Sequence, residues 1–410
     1  MNAAESAPRE SKGVSKKVFA YCHDSVGIGH LRRTLAICER VGEQNPSASF
    51  LIATGTPYVS LFSTASRIDC IKLPALAKGT NGVYDCKYLS MPVDSMMRCR
   101  QTLLLDTVEH YAPDLVLVDK APLGVRRELV PALKWLRQHR PDVRTVFGMR
   151  DIEDSAEATI EQWRRDGVYD VLEECYDEIW VYGSRDIFNT AKEYQLPDGV
   201  CRKLRYVGHV TRGHCNHAVE LRLNRPEVLV TVGGGTDGEF VLEAYLARAA
   251  GRVASLGGHS TLVGGPDLPA DAARRLRQVA RGMDGVDWTD FAECMSCRIR
   301  SADLVVSMGG YNTMCEIVGH AKPAVIIPRV RPRLEQAIRA RLWALRADLN
   351  PLLPTNLTPE KLADQTLARL EQGSSFASPK LDLGGLDRVA ARFAEIWNLE
   401  DCGAHPVCVQ

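Results

Sequence analysis

The sequence lacks a charge bias, a long apolar run and a metal-ligand cluster. Lysines and arginines equal aspartates and glutamates at 51 each, so no overall field draws the chain to nucleic acid or to an anionic membrane. No uninterrupted apolar stretch approaches the roughly 20 residues of a membrane-spanning helix. The opening MNAAESAPRESKG is polar, unlike a secretion signal. A chain without a transmembrane segment, working in the cytoplasm or peripherally at the inner membrane face, is the expectation. Thirteen cysteines are odd in number and scattered. Their one close pair, Cys294 and Cys297, has no second pair or histidine cluster at zinc spacing. Reduced thiols and no metal site follow.

What is present is alternation. Short apolar runs such as Lys17–Cys22, Asp114–Val118, Glu227–Thr231 and Asp303–Ser307 read as strands buried on both faces of a parallel sheet. Helical stretches separate them, and glycines stand at the strand ends. That pattern predicts an α/β protein of two doubly wound domains facing across a cleft. The predicted order is a disordered lead (1–15), an N-terminal domain (16–212), a polar linker (213–225) and a second domain (226–385). A last helix (386–400) crosses back to the first domain, and a tail (401–410) follows. The segment Leu73–Arg100 shows little periodicity and reads as a long functional loop.

The densest signal is Ser301–Gln336. A strand runs into Met308, Gly309 and Gly310, and a helix starts at Tyr311. Such a helix start points unpaired N–H groups and a positive dipole end at whatever lies before it, a seat for phosphate. Asn312, Thr313 and Glu316 lie within one turn of each other and can address one ligand. A diphosphate beside a carboxylate suits a nucleotide sugar. In the first half, Gly27-Ile28-Gly29-His30 places a histidine at a helix start just beyond a strand. Asp119 ends another strand and would reach the same rim, where a carboxylate can orient an imidazole. Arg150 and Tyr84 are candidates on the acceptor side.

GGYNTMCE at 309–316, followed by Pro323, Pro328 and Glu335-Gln336, resembles the donor-binding box of GT-B glycosyltransferases. Plant secondary-product glucosyltransferases and the peptidoglycan-precursor N-acetylglucosaminyltransferase carry such boxes. The resemblance implies that Glu316 holds ribose hydroxyls, Asn312 and Thr313 phosphates, and Glu335 and Gln336 the donor sugar. It also implies that His30 is the general base and Asp119 its orienting partner. Met308 stands where the plant box has a phosphate-binding histidine, which leaves the phosphate to backbone N–H groups and Arg329, Arg331 or Arg333. Gly29, Gly234, Gly235 and Thr236 are further donor-side candidates, with Phe291 near the base. The implied activity is inverting sugar transfer from a nucleoside-diphosphate sugar, UDP-linked in relatives, to a small-molecule, lipid-linked or natural-product acceptor. No cofactor beyond the donor is implied, and the absence of an Asp-x-Asp pair points to metal independence.

GIGHLRR also resembles the G-x-G-H-x-x-R turn of a UDP-sugar hydrolase of nonulosonate synthesis, where the histidine acts on water. A non-catalytic nucleotide-sugar-binding subunit is the third reading. A UDP-sugar 2-epimerase shares the two-domain plan, but no matching set of carboxylates is evident.

Overall fold

A computed structural model describes residues 15–23, 28–62, 66–78, 84–212, 225–373 and 380–401. Residues 1–14 and 402–410, most of the expected linker, and Gly27, Gly79 and Gly82 lie outside them.

The first lobe is a seven-stranded parallel sheet of β1 (Lys17–Cys22), β2 (Ser49–Thr54), β3 (Ile68–Lys72), β6 (Leu115–Asp119), β7 (Arg144–Arg150), β8 (Glu178–Tyr182) and β9 (Leu204–Tyr206). Its spatial order is β3-β2-β1-β6-β7-β8-β9. A two-stranded antiparallel ribbon of β4 (Leu76–Lys78) and β5 (Tyr84–Cys86) stands apart from it. The second lobe is a six-stranded sheet of β10 (Glu227–Thr231), β11 (His259–Val263), β12 (Val286–Thr289), β13 (Leu304–Ser307), β14 (Ala324–Ile326) and β15 (Leu349–Pro351). Its order is β12-β11-β10-β13-β14-β15, again parallel. Both sheets reverse strand order at their centres, the place where ligands sit beyond the strands' carboxyl ends.

Successive strand residues serve opposite faces. Val18, Ala20 and Cys22 join one core, and Phe19 and Tyr21 the other. The core that takes Val18 runs without a break into the second lobe through Leu229, Val305 and Ile317, and into the last helix through Val389, Phe393 and Trp397. That helix, Gly385–Asp401, packs on the first lobe. Phe393 meets the Trp180 ring edge-on at 5.4 Å, and Arg40 pairs with Asp387 at 2.8 Å.

One expectation about elements is corrected. The segment from 73 to 100 is not one long loop: it holds the β4–β5 ribbon and the start of a 19-residue helix, Val93–Tyr111. Its buried stripe, Met96, Met97, Arg100, Leu104 and Val108, contains an arginine, which breaks the apolar pattern. Arg100 is paired in the interior with Glu128 at 2.6 Å. Further on, Gly167, with φ +65°, ends the helix Ala156–Asp166 and starts the helix Val168–Cys175. In the second lobe a helix spans Glu335–Trp343.

Candidate active site

Cys22 at the end of β1 lies in register with Asp119 at the end of β6. The helix Gly29–Gln44 begins beyond β1, so His30 and Asp119 share a rim. His30 Nδ1 lies 2.7 Å from Asp119 Oδ2. The carboxylate can only accept, so Nδ1 carries the proton and the lone pair of a neutral ring sits on Nε2. Arg33, one helical turn on, donates through Nε to Asp119 Oδ1 at 2.9 Å and through Nη2 to Oδ2 at 2.8 Å. This forked pair is buried. Burial, aided by the charges of Arg33 and Arg150, pushes the His30 pKa down to about 4 against the pull of Asp119. Burial alone would raise the Asp119 pKa, but Arg33 and His30 hold it below the usual carboxylate range. The result is a neutral imidazole held by a charged carboxylate.

The second lobe faces it with the start of the helix Tyr311–Gly319, which has no side-chain cap. Gly310, Asn312 and Thr313 line a cavity of about 250 Å³ between the lobes, opposite Gly29, His30 and Arg150. The N–H groups of the first helical turn have no partner within the helix and carry its positive dipole end. Asn312 Nδ2 donates 2.7 Å across the lobes to the Gly29 carbonyl. Glu316 is buried and accepts from Arg32 Nη2 at 3.0 Å, while its Oε2 has no hydrogen-bond partner among the described residues. It lines a narrow gap beside Arg32, Arg33 and Asn312 that adjoins the larger cavity.

The remaining candidates take various places. Tyr311 lines the cavity and is also a pin between the lobes. Its ring lies 5.3 Å from the Arg33 guanidinium and 5.4 Å from that of Arg339, its hydroxyl donates to the Tyr182 carbonyl, and it accepts from the Val210 N–H. Met308 packs into the core of the second lobe rather than at a phosphate seat. The Gly309 carbonyl accepts from Arg339 at 3.0 Å. Gly234 lines the cavity, but Thr236 is exposed and does not. Gly235, at φ +97°, is buried against β11, where an added Cβ would lie 2.5 Å from the Gly264 carbonyl.

Phe291 lines the cavity and meets Phe62 of the first lobe edge-on at 6.3 Å. Glu335 is buried and accepts from Arg329 at 2.5 Å. Burial would raise its pKa, but Arg150, Arg329 and Arg339 bring it down. Gln336 lines the cavity and accepts the Arg329 N–H at 3.1 Å. Arg333 reaches over to Gln162 of the first lobe at 3.3 Å. Tyr84 lies 3.3 Å from His23 Nε2, and the His23 ring is 6.4 Å from that of His30. Among the described residues no group of His, Cys, Asp and Glu has the makings of a metal site, and no helix is long and apolar enough to cross a membrane.

Sequence reasoning reached Arg33 only as the last residue of the G-x-G-H-x-x-R turn, without a role, and singled out neither His23 nor the buried pair Arg339–Asp151 that ties the lobes with bonds of 2.8 and 2.7 Å. Arg33 had a legible signal, its place three residues after His30 on the same helix face. The other pairings join residues far apart in the chain and had none.

Two parallel sheets facing across such a cleft define the GT-B architecture. Comparison with known proteins carries this further. Residues 229–380 match the model of the glycosyltransferase family 28 C-terminal domain. An uncharacterized glycosyltransferase of Methanosarcina mazei is 23% identical over 74% of this chain and 77% of its own length. A UDP-N-acetylglucosamine–N-acetylmuramyl-(pentapeptide) pyrophosphoryl-undecaprenol N-acetylglucosamine transferase of Methylorubrum extorquens is 30% identical, over 30% of this chain and 35% of its own length. The solved structure of CalG4, the calicheamicin glycosyltransferase, superposes with a TM-score of 0.59 over 96% of this chain and all of that one at 13% identity, a likeness of fold. The chain is a glycosyltransferase of GT-B fold, and its second lobe is similar to the family 28 C-terminal domain over residues 229–380.

Proposed function

We propose that the enzyme is inverting and metal-independent, with His30 as general base and a UDP-sugar as donor. One observation carries this reading. A neutral imidazole, tethered by a buried carboxylate, faces an uncapped helix start across a single cavity. An acceptor hydroxyl or amine would give its proton to Nε2 as its oxygen or nitrogen attacks the anomeric carbon. The bond to the diphosphate breaks, and the leaving group's charge is taken up by the N–H groups before Asn312 and Thr313 and by Arg329. Glu316 Oε2 would accept from the ribose hydroxyls. The acceptor is a small molecule, a natural product or a lipid-linked molecule, the last implying work at the cytoplasmic face of the membrane.

The test is nucleoside diphosphate release from a panel of nucleotide sugars, with and without candidate acceptors. Release stimulated by an acceptor and lost in His30→Ala, with UDP binding retained, is expected. Full release without any acceptor would mark a hydrolase. No release with any donor, and UDP binding indifferent to His30→Ala, would mark a non-catalytic binding subunit.

A further inference from the structure

Beside the cavity, at the carboxyl ends of β6 and β7, three cations gather around one carboxylate. Lys120 follows Asp119 directly and adopts φ +71°. Its ammonium lies 2.8 Å from Glu153 Oε2, and Arg150 Nη2 stands 3.7 Å from the same oxygen. Arg333 comes over from the second lobe, close enough for its charge to be felt by both Lys120 and Glu153. Of the other carboxylates nearby, Asp154 spends Oδ1 on the N–H groups of Ser155 and Leu334, and Glu335 feels the charge of Arg150 but bonds Arg329. Arg329, the next cation along, is held by Asp237 and Glu335.

Arg150 is the telling residue. It lines the cavity, its side chain is only 12% exposed, and its Nε is buried with no hydrogen-bond partner among the described residues. Glu153 Oε1 is likewise buried without a partner. A guanidinium N–H held out of water and left unused, as Nε is here, is costly unless something else accepts from it.

We propose that Lys120, Arg150 and Arg333 form an oxyanion seat for the acceptor, so that the acceptor carries a phosphoryl or carboxylate group near its nucleophile. The forked guanidinium of Arg150 suits a planar or tetrahedral oxyanion, and Lys120 adds a point charge. Burial, helped by the charges of Arg333 and Arg150, brings Lys120 down to about 7 against the pull of Glu153, a cost that a bound anion relieves. Arg150 also bears on His30 electrostatically, which puts the seat within reach of the base. Arg333 then serves this seat from the second lobe, so binding the acceptor draws the lobes together.

The inference rests on the transferase reading, and its test separates the two. The full chain, saturated with UDP so that the donor's diphosphate seat is filled, is titrated calorimetrically with inorganic phosphate and, separately, with acetate. Saturable phosphate binding is expected, weakened at least tenfold in Arg150→Gln and in Lys120→Gln and largely kept in Arg150→Lys. Acetate binding equally well would assign a carboxylate acceptor, and phosphate binding alone a phosphoryl one. If UDP binds and neither anion does, or if both variants bind phosphate like the parent, the seat is overturned while the donor reading stands. If UDP itself does not bind, the donor reading falls first. The parent titration decides the matter even where a variant fails to fold.

Discussion

The two helices that open on the cleft begin alike and work differently. Each follows a parallel strand and a glycine, and neither start is capped by a side chain. The first lobe presents a side chain there, His30, oriented by Asp119 and by Arg33 behind it. The second presents backbone, because Gly310 leaves open space where a Cβ would stand. A base needs one lone pair aimed at one proton, which takes a chain of fixed side chains. A diphosphate spreads its charge over many oxygens, which a ring of N–H groups can meet without any particular residue.

Breaking the first helix start gives the largest effect. His30→Ala should lower kcat by about 10² to 10⁴ while the UDP dissociation constant, read by calorimetry, holds; a parallel loss of UDP affinity would mean that the two starts are not separate devices. Cutting the tie between the lobes comes next. Asp151→Ala leaves Arg339 buried without its carboxylate and should cost about 3–5 kcal/mol of stability in denaturant melts. A smaller, opposite signature is expected in the second lobe, where Glu316→Ala should weaken UDP binding by about 1.5–3 kcal/mol and leave the pH profile of kcat/KM unmoved.

The finest test is that profile itself. Only neutral His30 can accept a proton, and its pKa lies near 4. Activity should therefore persist below pH 6 and fail on an acid limb near 4, not near 6.5. Arg33 lowers that pKa, so Arg33→Met should move the limb upward; a limb that stays put would remove Arg33 from the base's surroundings.

The two lobes were also unequally legible. The box from Gly309 to Gln336 announced its helix start and its glutamates, because residues close in sequence stay close on a turn and a helix. It did not announce that Asn312 would reach Gly29, that Arg32 would meet Glu316, or that Tyr311 would pin Arg33 and Arg339. All of these contacts but that of Tyr311 with Arg339 join residues on different lobes, and that one joins two separate helices. The helix from Val93 was hidden for a different reason: a buried Arg100–Glu128 pair put charge where the apolar stripe should continue.

Local chemistry alone settled a good deal. Uninterrupted apolar strands, glycines at their ends and helices between them prescribe parallel sheets with loops gathered at one rim, since strand direction and side-chain period leave little choice. Which charges pair across the cleft was decided by the packing of the two lobes. Arg339 with Asp151 and Arg32 with Glu316 are fixed by where the folded surfaces meet. A charge finds its partner through space and burial, and neither is written in the spacing of residues along the chain.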